Sequence, residues 1–246
     1  MKQFVFVVLL VLVTAQLGCW RRTAVNSSNS ESAAQGVAVD SATEARVLLE
    51  RGKEFYRDDR DDKAVESFQQ ALKLDPDLAE AHFRLGLTYD AMGMEQESDD
   101  SYKKAVESYK KFFANEENDS NAEAHYNLAQ SYFGLNLYAE AVREYRAAVR
   151  FKEDDADIYY DLGLALSRLA QYDEAAAAFE KSLELDPENY RAEDELAEAR
   201  EGIKRIRAGR KHQEDLAKKK KEEELKKQQE TGTGESSNKP VSTRTP

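Results

Sequence analysis

The chain has 246 residues, of which 41% are hydrophobic, 34% charged and 9% aromatic, which suits one elongated domain with a core and polar tails. Only 4 Pro and 11 Gly, with Ala, Leu, Glu and Lys abundant, favour helix. A net charge of −12 argues against general nucleic-acid binding, which needs clustered cations, and the single Cys excludes an intramolecular disulfide and a cysteine-rich zinc site.

Lys2 precedes an apolar run from Phe4 to Val13, too short to span a bilayer comfortably but suited to the core of a secretory signal. The run leads into Ala15-Gln16-Leu17-Gly18-Cys19, which resembles a bacterial lipoprotein signal, where a small residue precedes a Cys that is lipidated and becomes the new N-terminus. Two features depart from that pattern. Gln16 stands where the family usually has Leu or another aliphatic residue, and Arg21 and Arg22 follow the Cys at once, where positive charge resists translocation. Cleavage after Ala15 to release a soluble protein, and an uncleaved anchor from Phe4 to Trp20, therefore stay open beside it. The position of the lone Cys favours the lipoprotein. The resemblance implies a signal peptide over 1–18, lipidation at Cys19 and an exported protein held on a membrane of the bacterial cell envelope, facing the periplasm where the cell has an outer membrane. Residues 19–41, rich in Ser, Asn, Ala and Gly, read as a flexible tether that lets a folded domain reach away from the membrane.

From Ala45 onward the chain repeats itself. The first copy, about 45–78, carries Leu48, Gly52, Phe55, Ala64, Phe68, Ala71 and Pro76, with Arg51 at an exposed edge. Gly52 to Gly86 is a step of 34 residues, and the second copy, 79–121, has His82, Leu85, Gly86, Tyr89, Ser98, Tyr102 and Ala105. No Pro closes it. Its second helix is expected to run on through Phe113, until Asn115 to Asn121 breaks the pattern. The third copy, 122–155, has His125, Leu128, Ala129, Tyr132, Ala141, Tyr145 and Ala148, and Gly86 to Ala129 is a step of 43, so about nine residues are inserted.

Ala129 to Gly163 returns to 34, and the fourth copy, 156–189, is the clearest. Tyr159, Leu162 and Leu166 share one face of a first helix, and Ala175, Phe179 and Ser182 recur at helical spacing on a second. Gly163 and Ala175 lack bulk, so the two helices can approach closely. Asp186-Pro187 stops the second, because Pro restricts the preceding residue and donates no helical hydrogen bond. This order of aromatic, Leu-Gly, large, Ala, aromatic, small and Pro residues resembles the tetratricopeptide repeat. The resemblance implies an all-α fold: a right-handed α-solenoid of four helix-turn-helix repeats over 42–207, with its first helices lining a concave side and a capping helix at 190–207, where Ala192, Leu196, Ala199, Ile203 and Ile206 recur.

Family geometry places the fifth and ninth residues of each repeat in the groove. These are Leu49, Phe83, Tyr126 and Tyr160, then Lys53, Leu87, Gln130 and Leu164. They would form an apolar ladder with polar edges for a partner peptide or protein, unless the rings pack on their neighbours. Some family members clamp a C-terminal carboxylate with Lys and Asn. Here Lys53 stands without the set, since Leu49, Leu87 and Glu123 occupy places where the clamp would want Lys or Asn, so chaperone-tail binding of that type is not expected. On the lengthened helix, Tyr102, Tyr109, Phe112 and Phe113 share one side. They pack on the third repeat or, if the last turns protrude, Tyr109, Phe112 and Phe113 make a partner patch.

No motif for catalysis, cofactor or metal is found. His82 and His125 occupy one repeat position, normally a packing site, and the many carboxylates spread over outward faces. In the charged helix 208–230, Lys218 to Lys221 are followed by Glu222 to Glu224, a solvated pattern, and 231–246 has a disordered composition. The expectation is a non-catalytic scaffold or adaptor of the bacterial cell envelope that binds proteins or peptides and no nucleic acid. Its layout is similar to lipoproteins that assist pilus, secretion or outer-membrane assembly. The alternative is a structural protein that grips cell wall or anionic lipid through the basic C-terminal helix.

Overall fold

The computed structural model describes residues 41–234. The signal segment, Cys19, the tether up to residue 40 and residues 235–246 of the tail lie outside the described residues, while 231–234, expected in the disordered tail, are the last residues of a helix. Within them every regular element is helical: α1 (41–57), α2 (Asp61–Leu74), α3 (Ala79–Ala91), α4 (Glu95–Phe113), a 3-10 turn (Glu116–Asn118), α5 (Ala122–Gly134), α6 (Tyr138–Phe151), α7 (Ala156–Arg168), α8 (Tyr172–Leu185) and α9 (Tyr190–Gly234). They form an α-solenoid of paired helices, divided into two compact units between Glu144 and Tyr145.

The helix pairs are closed by the same turn four times. At Asp59, Gly93, Asn136 and Ala170 the backbone is left-handed, with φ of 55°, 72°, 59° and 55°. The next residue returns its N–H across the turn: Arg60 to the carbonyl of Phe55, Met94 to Tyr89, Leu137 to Tyr132 and Gln171 to Leu166, at 2.8–2.9 Å. Each left-handed residue also donates to the carbonyl three before it. That double bond is the Schellman ending, which satisfies carbonyls that a helix C-terminus leaves open. Gly, Asn and Asp tolerate the conformation most readily, whereas Ala170 adopts it against steric cost.

Inside each pair the ring of the second helix fills the space that a small residue of the first leaves. A methyl added to Gly86 would stand 2.5 Å from Tyr102, and one on Gly163 would stand 2.5 Å from Phe179. Leu49, Ala64, Phe68, Ala81 and Leu85 make one buried cluster of the first unit, with Phe55, Tyr56 and Leu78 packed against it. In the second unit Ile158, Leu162, Leu166, Ala175 and Phe179 are buried together with Ala192, Leu196 and Ala199 of α9.

The inserted residues divide between helix and connection. α2, α6 and α8 each have 14 residues and α4 has 19. The connection after α4 has eight residues, Ala114 to Asn121, where the other repeats have four. At the far end, Asn189 caps α9 by accepting from the Ala192 N–H at 3.1 Å. The cap and the charged segment, which the sequence divides at residue 207, are one continuous helix. Its burial stops early: Ile203 is half-buried, Ile206 is exposed, and so is every described side chain from Lys204 on. Among the described residues no helix is long and apolar enough to cross a membrane.

Candidate functional site

In the first unit α3 and α5 lie against each other, and α4 packs on both. A cleft of about 200 Å³ opens between the starts of α3 and α5, lined by Leu78, Glu80, Tyr109, Phe112, Asn121, Glu123 and Asn127. Its floor comes from the extension of α4. Tyr109 is 4% exposed, and Asn127 of α5 hydrogen-bonds its hydroxyl. Burial pushes that hydroxyl well above the ordinary tyrosine value, against the smaller opposite effect of the Asn127 bond. Phe112 and Phe113 meet edge to face at 5.4 Å, and Phe113 stacks on the His125 ring at 4.3 Å. The three rings expected as a partner patch therefore have different places: Tyr109 is interior, Phe113 covers His125 and Phe112 lines the cleft.

The rim is polar. Asn121 caps α5 by accepting from the Ala124 N–H at 2.9 Å. Glu80 takes Lys53 at 3.1 Å and Arg84 at 3.2 Å, so its charge is balanced, while Glu123 is exposed. Lys53 also meets Glu50 at 2.9 Å. Burial alone would lower the Lys53 ammonium, but the bonds to Glu50 and Glu80 outweigh it and hold the group above its ordinary value. A lysine bridged to two carboxylates on its own surface is already engaged.

The remaining ladder residues fall into two groups. Leu49 belongs to the buried cluster, and Phe83 is 2% exposed with its ring 6.5 Å from Tyr102. Leu87, Tyr126 and Gln130 are half-buried, the Gln130 amide donating to the Tyr126 hydroxyl at 2.6 Å. In the second unit Leu164 is half-buried, and Tyr160 is 9% exposed, 5.9 Å from Phe179 with Arg191 of α9 over its face at 4.7 Å. Burial raises the Tyr160 hydroxyl, with Arg191 opposing. The apolar ladder is thus largely internal at Leu49, Phe83 and Tyr160. Glu80, Asn121 and Asn127 were missed by sequence reasoning. Only Asn121, three residues before Ala124 at a helix start, carries a local signal, that of an N-cap. Among the described residues no group of three or more His, Cys, Asp or Glu side chains is placed to hold a metal ion.

Residues 52–93 and 130–169 match the family model described as TPR repeat, and 79–112 and 156–189 match models described as Tetratricopeptide repeat. The fold and its repeated helix pairs define an α-solenoid whose class is a repeat-built interaction domain. The chain contains tetratricopeptide repeats. Over 177 residues it is 26% identical to RNA polymerase II-associated protein 3 of Mus musculus, covering 72% of this chain and 20% of that protein. The chain thus spans about a fifth of the length of the curated relatives it matches. The solved structure of PilF from Pseudomonas aeruginosa shares the fold, with 21% identity, a TM-score of 0.52, and coverage of 65% of this chain and 69% of that one. A crystal structure of MamA protein is 26% identical and covers 80% of this chain and 98% of that one, with a TM-score of 0.49.

Proposed function

We propose that this chain is a non-catalytic scaffold that holds a partner peptide through the cleft between α3 and α5. The observation that carries the reading is the cleft itself. Phe112 and Leu78 supply an apolar floor, and Glu123 and Asn121 supply a polar rim, on helices fixed by capping and by the buried Tyr109. An apolar seat with a few polar groups beside it recognises a side chain and the backbone next to it. Leu87 on α3 and Tyr126 and Gln130 on α5 are half-buried on the same helices. The matched relatives are named for RNA polymerase II, but a shared repeat domain one fifth of their length supports peptide or protein binding, not that partner.

The proposed setting is the bacterial cell envelope, with the domain tethered through a lipid on Cys19. It is supported by Lys2, the Phe4 to Val13 run and the position of the Cys. The basic run Lys218 to Lys221 lies on an exposed helix and is followed at once by three Glu, so it fits a solvated rod better than an anionic-surface hook.

A photo-crosslinking side chain at Glu123 should trap a partner that a crosslinker at Lys104 does not, and Glu123→Lys should weaken capture of that partner. Equal trapping at both places would remove the cleft from the reading. Palmitate labelling of the wild type and its loss in Cys19→Ser tests the anchor, and an unlabelled wild type ends it.

A further inference from the structure

The first repeat carries a second cleft, away from the one above, of about 270 Å³ and lined by Arg51, Phe55, Arg60, Lys63, Glu66, Ser67 and Gln70. Three cations converge on one ring there. The Arg51 and Arg60 guanidinium carbons stand 5.5 and 4.6 Å from the centre of the Phe55 ring, and the Lys63 ammonium stands 6.0 Å from it. None of the three forms an ion pair among the described residues, although Asp59, Asp61 and Asp62 are close in sequence. Elsewhere in the same unit Lys53, Arg84, Lys103 and Lys111 each engage at least one carboxylate. The acid in the cleft wall, Glu66, accepts from the Gln70 amide at 3.1 Å.

Three cations with no ion pair among the described residues thus gather on one ring, in a chain whose net charge is −12. The ring also organises them. Cation–π contact holds each charged head near a fixed place, so less side-chain freedom is lost when an anion arrives, and a guanidinium lying on a ring leaves its N–H edge free for a carboxylate. Long polyanions are disfavoured by the net charge of the whole chain. A short segment with a few carboxylates and apolar atoms for the Phe55 edge meets the cations without that repulsion.

We infer that this cleft on α1 and α2 docks an acidic peptide segment of a partner protein, with its Asp or Glu carboxylates between Arg51, Arg60 and Lys63. The site is separate from the cleft between α3 and α5 and extends the interaction reading to a second surface with a stated chemistry. Its occupant being a peptide rests on that reading.

The probe is a fluorescent peptide of about twelve residues alternating Glu and Leu, with both ends blocked, read by anisotropy against the full chain at about 0.1 M salt, where surface charges still act. Binding is expected, and a Lys-Leu analogue should neither bind nor compete. Arg51→Gln with Lys63→Gln should weaken binding about tenfold or more, Arg60→Gln should act in the same direction, and Lys103→Gln should change nothing. Thermal melts accompany each variant. Arg51→Glu with Lys63→Glu should transfer binding to the lysine peptide, a gain that instability cannot mimic. Failure of the wild type to bind the acidic peptide, or equal binding by the double glutamine variant, overturns the inference. So does binding of inorganic phosphate or phosphatidylserine vesicles, in place of the peptide, that depends on Arg51 and Lys63. Glu123→Lys should leave this binding intact, so the two clefts succeed or fail separately.

Discussion

The connection after α2 and the connection after α4 occupy equivalent places in consecutive repeats, and they end their helices by different means. After α2 the stop is covalent: Asp75-Pro76 closes the helix, the Asp75 N–H bonds the Ala71 carbonyl at 2.9 Å, and α3 begins after four residues. Thirty-four residues later that pair is Tyr109-Lys110. Nothing forbids another turn, and α4 runs on to Phe113. Side chains then provide the stop. Asn115 accepts from the Glu117 N–H at 3.2 Å, the Asn118 amide donates to the Phe112 carbonyl at 2.8 Å, and Asn121 starts α5. The difference teaches how a repeat array acquires a new surface. Losing one Asp-Pro pair lengthens a helix, and the added residues line a cleft between the starts of α3 and α5.

The contrast is broken most severely at the floor. Tyr109→Ala removes a buried ring and leaves Asn127 without its partner, and should cost about 3–5 kcal/mol in urea unfolding. Tyr109→Phe keeps the ring and should cost about 1–2 kcal/mol. A near-neutral Tyr109→Ala would mean that the extension does not pack as described. Lys110→Pro puts the regular stop back where the insertion lost it. It removes a helical hydrogen bond in the body of α4 and should cost about 3 kcal/mol. Hydrogen exchange from Lys111 to Asn121 should speed up more than exchange in α2. Asn118→Ala should cost about 1 kcal/mol through the freed Phe112 carbonyl, with faster exchange confined to the end of α4 and its connection.

How much of this the sequence carries depends on whether a signal is local. The register was legible because Gly52, Gly86 and Gly163 must admit a ring, and the step of 43 located the insertion. The length of α4 was legible because no Pro interrupts it. The roles of its rings were less so. Tyr109 and Phe112 lie on one helix face, and which of them is interior depends on where α5 comes to rest. Leu49 and Phe83 sit beside the core stripe, where a small rotation of the helix decides between groove and interior. The continuity of α9 was hidden for another reason. Its described second half has no buried face and is written in runs of Lys and Glu, which a search for an apolar stripe reads as a break. Arg51 was legible as an exposed edge, but its meeting with Arg60 and Lys63 on Phe55 joins two helices across a turn.

The finest test of the comparison is the pair of histidines that the two connections hold. His82 donates from Nε2 to the Pro76 carbonyl at 3.0 Å, and His125 makes the matching bond to the Asp119 carbonyl at 2.9 Å. Their other nitrogens differ. His125 Nδ1 faces the Glu144 carboxylate at 2.8 Å, so both of its nitrogens face acceptors and the imidazolium satisfies both. For His82 burial is the largest influence and, with Lys104 nearby, it outweighs the Pro76 bond and holds the group below its ordinary 6.5. For His125 burial pulls the same way, but Glu144 and the Asp119 carbonyl overcome it and raise the group above 6.5. The two linkages therefore have opposite signs. The His125 contribution to stability is full below pH 6.5 and is lost as pH rises through its raised value. The His82 contribution is full above pH 6.5 and is lost as pH falls through its lowered value. Proton NMR titration of the ring C–H signals should place the two midpoints on either side of 6.5, and Glu144→Gln should move the His125 midpoint down while leaving that of His82 in place. Coincident midpoints would show that the lengthened connection is held no differently from the regular one. If they separate, the inserted turn is tied to α5 and α6 through one protonated ring, and its exchange protection should weaken from mildly acid to mildly alkaline pH while the regular connection does not follow.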